Sequence, residues 1–109
     1  MGGRGGETTS SGGQPEAAPL EFEWDPAKSA ANKVKHGVDF EEAKVIWQDP
    51  KRAVIKSKHE GEPRQLVIAP LNGRMRTAII TMRGNVIRII SVRRSWNRGE
   101  AYYARRGLD

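Results

Sequence analysis

The chain reads as a single α+β domain, with two N-terminal helices packed on an antiparallel β-meander and a short C-terminal helix. Three observations carry that reading. Capping signals at Asp25-Pro26 and at Asp39-x-x-Glu42 each open a segment with helical apolar spacing. After Pro50 the apolar period changes from helical to two. Turn signals at Asn72-Gly73 and Arg83-Gly84-Asn85 then divide the second half into strands. Helices grouped ahead of such strands indicate an α+β arrangement rather than alternating parallel units.

Residues 1–19 are rich in glycine, serine and threonine and carry no aromatic or branched aliphatic side chain. Such a segment buries too little apolar area to offset its ordering entropy, so a disordered tail is expected ahead of a folded domain at 20–109. Leu20 to Trp24 alternates apolar and acidic residues and predicts a short half-buried strand. Asp25 then caps a helix over 25–36, with Pro26 at a position where its missing donor is not needed and Gly37 as the stop. A second helix over 39–48 places Phe40, Ala43, Ile46 and Trp47 on one face, and Asp49-Pro50 ends it. Ala53 to Lys56 is a weak, edge-like strand; Gln65 to Ala69, Arg76 to Met82 and Val86 to Arg94 are stronger ones. The segment from Asn97 to Arg106 is helix-compatible, although Gly99 weakens it by about 1 kcal/mol relative to alanine.

Composition narrows the functional classes. The chain has 109 residues and a net charge of +6, unevenly placed. Residues 20–50 hold four Lys/Arg and seven Asp/Glu, giving −3, whereas residues 51–109 hold fourteen Lys/Arg and four Asp/Glu, giving +10. A basic C-terminal half is the electrostatic footprint of a phosphate binder, and a solvated charged face is the plain alternative. There is no cysteine, which excludes disulfides, thiolate chemistry and cysteine metal sites. No apolar run approaches the roughly 20 residues of a membrane span. The N-terminus lacks a hydrophobic signal core, so a cytoplasmic location is expected and no membrane association.

The candidate site is a set of cations. His36 and His59 show no metal-ligand spacing, no glycine-rich loop opens a helix after a strand, and no Ser/His/Asp arrangement can be argued, so neither metal nor cofactor is expected. What remains is Lys28, Arg64, Arg74, Arg76, Arg88, Arg93 and Arg94. Guanidinium groups on a rigid strand hold a phosphate in a set geometry, which flexible surface lysines cannot do. Cations of this kind suit one reaction in particular, the attack of an RNA 2′-OH on its neighbouring phosphate. The substrate supplies the nucleophile, and arginines stabilise the developing charge. Glu62, His36 or Lys28 are the candidates for proton transfer. By strand parity Arg88 and Arg93 face opposite sides of the sheet unless a bulge intervenes. Trp24 and Trp47 read as core. Trp96, among polar neighbours, suits base stacking or burial equally. His36 at a helix terminus fits capping as well as acid–base work.

At these residues the chain resembles the BrnT ribonuclease toxins of bacterial type II toxin–antitoxin systems. Phe22 to Ala43 is similar to that family's W-D-x-x-K-x-x-x-N-x-x-K-H-G-V-x-F-x-E-A signature, through Trp24-Asp25, Lys28, Asn32, Lys35-His36-Gly37 and Phe40. Glu62-x-Arg64 looks like the family's E-x-R, Arg88 to Arg93 is similar to its R-I-I-S-A-R strand, and Tyr103 falls where a C-terminal tyrosine is common. The chain departs from the pattern at Ala69-Pro70, where the family shows a glycine, and at Gly99, where it shows a glutamate.

The resemblance implies a RelE-like α+β fold and a metal-independent endoribonuclease that inhibits translation and growth. It also implies a cognate DNA-binding antitoxin (BrnA-like) that neutralises the toxin in a hetero-oligomer, the pair binding operator DNA. On that reading Arg64 and Arg93 are the transition-state cations, with Lys28, His36 and Glu62 assisting. Arg88, Arg94, Arg74, Arg76 and Trp96 then contact RNA. A non-catalytic RNA- or DNA-binding module using the same basic sheet is the alternative.

Overall fold

In the computed structural model the described residues are 20–59 and 61–108, so the expected tail over 1–19 lies outside them. The elements in order are β1 (Glu21–Glu23), α1 (Pro26–His36), α2 (Phe40–Ala43), a 3₁₀ turn (Lys44–Gln48), β2 (Ala53–His59), β3 (Glu62–Leu71), β4 (Arg74–Arg83), β5 (Val86–Arg94) and α3 (Asn97–Leu108).

The caps form as the sequence dictates. Asp25 accepts from the Ala27 N–H at 2.8 Å, and Gly37 closes α1 at φ 81, donating to Lys33 O at 2.9 Å. Asp39 accepts from the Glu42 N–H while Glu42 accepts from the Asp39 N–H, at 2.8 and 2.9 Å, a reciprocal capping box. The expected helix over 39–48 is α-helical only through Ala43 and then tightens to 3₁₀. The valine, isoleucine and tryptophan in this stretch, two of them β-branched, have weaker helix propensity, and Asp49-Pro50 stops the chain soon after.

The sheet has the order β1-β5-β4-β3-β2. Strands β2 to β5 form the expected antiparallel meander, and the turns explain themselves. Asn72 and Gly73 both have positive φ (54 and 81), the two-residue arrangement that matches strand twist, and Gly84 has φ 61 in the next turn. One expectation needs correcting: the sheet is mixed, because β1 pairs in parallel with β5, Phe22 opposite Ile87 and Glu23 opposite Arg88. Pairing with the last strand half-buries Phe22 beside Trp47, ring centroids 5.1 Å apart. Strand β3 also runs through Pro70. Its pairing with β2 reaches only to Ile68, so the proline's missing donor falls where β3 has no partner on that side.

One face of the sheet carries the core. Val67, Ala69, Leu71, Ala78, Ile80, Ile87, Ile89 and Val92 pack with Val38, Phe40, Ala43, Ile46 and Trp47, and Phe22, Trp24 and Tyr103 close its margin. Helix α1 packs along β5 beyond the end of β1. There the buried Asn32 satisfies the open strand edge. Its amide donates to Val38 O and Val92 O at 2.7 and 2.8 Å, and its oxygen accepts from the Val92 N–H at 3.1 Å. A bare strand edge would otherwise leave buried backbone groups unpaired. Helix α3 packs on β2 and β3, tied down by Tyr103 Oη donating to Asp49 Oδ2 at 2.8 Å. It includes Gly99, against which the Trp96 ring lies so closely that a Cβ there would sit 3.2 Å from ring carbons.

Candidate nucleic-acid interface

The placement of the arginines turns on one irregularity. Pairing of β4 with β5 steps from Ile79↔Ser91 to Ile80↔Ile89, leaving Ile90 as an extra, unpaired residue. That bulge shifts the parity of β5, so Ile87, Ile89 and Val92 all face the core. Arg88, opposite Thr81, and Arg93, opposite Thr77, therefore project from the same face, the one away from the core. The bulge condition under which the two arginines share a face is met.

On that open face the sheet forks. The β3–β4 ladder ends at Gln65↔Ile80, whereas β2–β3 continues to His59↔Glu62 and β4–β5 to Arg83↔Val86. The two hairpin tips thus extend past the last rung between them, bridged by Thr81 Oγ1 donating to Pro63 O at 3.0 Å. A groove of about 570 Å³ lies here, with Lys28, Glu62, Arg64, Thr81, Arg83 and Arg88 among its walls. Lys28 comes from α1, Glu62 and Arg64 from β3, Arg83 from β4 and Arg88 from β5. Lys28 reaches the groove because α1 lies along the β5 edge.

Three of the cations are held beside two carboxylates. Glu62 and Arg64, two apart on one strand face, pair through Oε1 to Nε and Nη2 at 3.1 and 2.9 Å. Glu23 sits beside Arg88 across the parallel pair and accepts from Arg88 Nη1 at 3.0 Å, with Arg83 Nη1 3.5 Å away. Four cations around two carboxylates leave a net positive groove. Arg64 on β3 and Arg88 on β5 stand on opposite sides of β4, so their long side chains reach into the groove from both walls.

The remaining sequence-predicted residues lie elsewhere. Arg93 shares the open face but does not line the groove. His36 ends α1, eight residues and about 12 Å from Lys28. Burial, then the charges of Lys35, Arg93 and Arg76, hold its imidazole below the usual histidine range. Arg76 and Arg94 are cross-strand neighbours on the helix side of the sheet. Arg76 Nη1 donates to His36 O at 2.9 Å, and its Nε is buried without a partner among the described residues. Arg74 is exposed at the Asn72-Gly73 hairpin, and Trp96 is 40% exposed against Gly99.

Sequence reasoning missed Glu23, Thr81 and Arg83. Glu23 is invisible as a site residue until β1 is known to pair in parallel with β5. Among the described residues no three His, Asp or Glu side chains cluster as a metal would require. The arrangement can grip a phosphate from two sides and offers a carboxylate and an ammonium beside it.

No described helix is long and apolar enough to cross a membrane. A search of curated proteins returned no match. Residues 24–100 match the protein family described as the ribonuclease toxin BrnT of type II toxin–antitoxin systems. That match begins just after β1 and takes in both N-terminal helices, the whole meander and every wall of the cationic groove. The chain belongs to the BrnT family of ribonuclease toxins.

Proposed function

We propose that this chain is a metal-independent endoribonuclease of RelE-like fold that cleaves RNA in the cytoplasm and so inhibits translation and growth. The observation that carries this is the convergence of Lys28, Glu62, Arg64 and Arg88, from three separate elements, on one groove. An RNA phosphate between Arg64 and Arg88 is gripped by donors fixed on strands and clamped by Glu62 and Glu23. The 2′-oxygen attacks phosphorus as its proton passes to the Glu62 carboxylate. The bond to the 5′-oxygen breaks as that oxygen takes a proton from the Lys28 ammonium. The products are a 2′,3′-cyclic phosphate and a 5′-hydroxyl. Charge on the phosphorane rises during the step, so the guanidinium groups bind it more tightly than the ground state. Arg93, on the same face, and His36, beside it, contact a further stretch of the strand, with Trp96 available for base stacking. Arg74, Arg76 and Arg94 supply long-range attraction for the polyanion.

The partner is implied by the toxin–antitoxin family, and charge suggests how it binds. A DNA-binding antitoxin (BrnA-like) covers the Arg64/Arg88/Arg93 face with carboxylates, neutralising the toxin by occlusion. The resulting hetero-oligomer binds operator DNA through the antitoxin. Induced expression tests the catalytic reading. Growth arrest with RNA decay, abolished by Arg64→Ala or Arg88→Ala in proteins that still fold, is the expected result. RNA that is bound at several sequences and never cut identifies a non-catalytic binding module instead.

A further inference from the structure

The fork past Gln65↔Ile80 opens on two clefts that meet at Arg64. One is the cationic groove. The other, about 600 Å³, is lined by Lys56, Ser57 and Gln65 and shares Pro63, Arg64, Thr81 and Met82 with the first. Their characters differ. The groove is walled by charge, whereas the second cleft has a mostly uncharged wall to which Met82, 43% exposed, contributes a thioether. Register explains the contrast. Arg64 and Thr81 belong to the open face, but Lys56, Gln65 and Met82 have the parity of the core face, beyond the point where β3 and β4 part. The chain thus presents a phosphate grip and, one side chain away, a slot with an apolar wall and a polar rim.

We infer that this second cleft is a nucleobase subsite, taking the base of the single-stranded nucleotide whose phosphate lies against Arg64 and Arg88. The chemistry of a base fits the walls. Its flat face packs on the Met82 thioether, which is polarizable and adaptable. Its edge meets the Gln65 carboxamide, which both donates and accepts, and the Ser57 hydroxyl. Single-stranded RNA presents unstacked bases for this kind of reading, and a duplex does not. The volume is within the roughly 300–1,000 Å³ of small-molecule sites. Gln65 and Met82 are then specificity-determining residues, since a site that hydrogen-bonds one base leaves its polar groups unpaired with another.

The inference rests on the ribonuclease reading for its phosphate, so the test is made by binding, without turnover. Affinities of the full chain for the four nucleoside 3′-monophosphates and for base-free ribose phosphate are measured by NMR titration, with Gln65→Ala and Met82→Ala beside the wild type. Both side chains lie outside the buried core, and thermal unfolding checks that each variant folds. The expected result is that at least one nucleotide binds about tenfold or more tightly than ribose phosphate. Each variant should reduce that preference, Gln65→Ala while leaving ribose phosphate affinity within about twofold and Met82→Ala by more than any loss of ribose phosphate affinity. Nucleotides that bind no better than ribose phosphate overturn the subsite, as do variants that weaken every ligand equally. Base-dependent binding in a protein that cuts no RNA would leave the subsite standing and remove the ribonuclease mechanism. Cleavage without base dependence would do the reverse.

Discussion

Replacing Asn32 with alanine should destabilise the fold by about 3 kcal/mol. The side chain is 7% exposed and serves three backbone groups: the carbonyls of Val38 and Val92 and the N–H of Val92. Both valines are buried, so water cannot readily replace what is lost. Each stranded group forfeits about 1 kcal/mol of net hydrogen bonding, with a desolvation penalty of up to about 3 where no water enters. Three such groups give the estimate, which is a large share of the roughly 5–15 kcal/mol that holds a domain together. The midpoint of thermal unfolding should fall by roughly 12–24 °C. Equilibrium urea denaturation of the wild type and Asn32→Ala, at equal m-value, measures the difference directly. Asn32→Asp sharpens the test. It keeps an acceptor for the Val92 N–H but sets a second carboxylate oxygen against two carbonyls, so it should be less stable than alanine at neutral pH and recover as it protonates in acid. A loss below about 1 kcal/mol for alanine would refute the edge-plugging role, since it would mean that the Val92 groups find other partners.

Three further outcomes are expected. Tyr103→Phe should lower stability by about 1 kcal/mol through loss of the bond to Asp49, and unchanged unfolding would contradict it. Because that bond, with burial adding, raises the Tyr103 pKa, its contribution is full below the phenol's ordinary range and is lost as pH rises through the folded value. The alkaline limb of stability should therefore flatten in the variant. The His36 imidazole should titrate below 6.5 by NMR, owing first to burial and then to Lys35, Arg93 and Arg76. Its contribution to stability is present above that ordinary value and is lost as pH falls through the folded one; a midpoint at or above 6.5 contradicts the placement. Association with the antitoxin should slow as salt rises, since exposed charges are screened beyond roughly 8 Å at physiological ionic strength. A rate indifferent to salt in stopped-flow, or neutralisation by a partner docked only on residues 20–50, would exclude occlusion of the basic face.

Local chemistry made most of the fold legible. Asp25, Gly37, the Asp39/Glu42 box and Asn72-Gly73 act within a few residues of themselves, so their spacing in the chain already specifies the contact. The parallel partnership of β1 and β5 spans more than sixty residues of chain and leaves no local mark. Glu23 was missed for that reason, although its position in the alternation of Leu20 to Trp24 is plain. The bulge at Ile90 is similarly hidden, because Arg88-Ile-Ile-Ser-Val-Arg93 looks like an uninterrupted strand. That one extra residue decides whether Arg88 and Arg93 share a face. Glu62 and Arg64 were readable as a pair because a spacing of two puts both on one side of any strand. The fork between β3 and β4 depends on where three ladders stop relative to one another, which no single segment encodes.

The central claim, that guanidinium groups in the fork cleave RNA without a metal, is tested most directly by single-turnover cleavage with purified protein in excess EDTA. The account predicts cutting of single-stranded RNA, with 2′,3′-cyclic phosphate and 5′-hydroxyl ends. It also predicts a rate loss of about 10²–10³-fold in folded Arg64→Ala, the scale seen when one donor to a developing charge is removed. Cleavage that needs added Mg²⁺, or an Arg64→Ala protein that cuts at the wild-type rate, would contradict it.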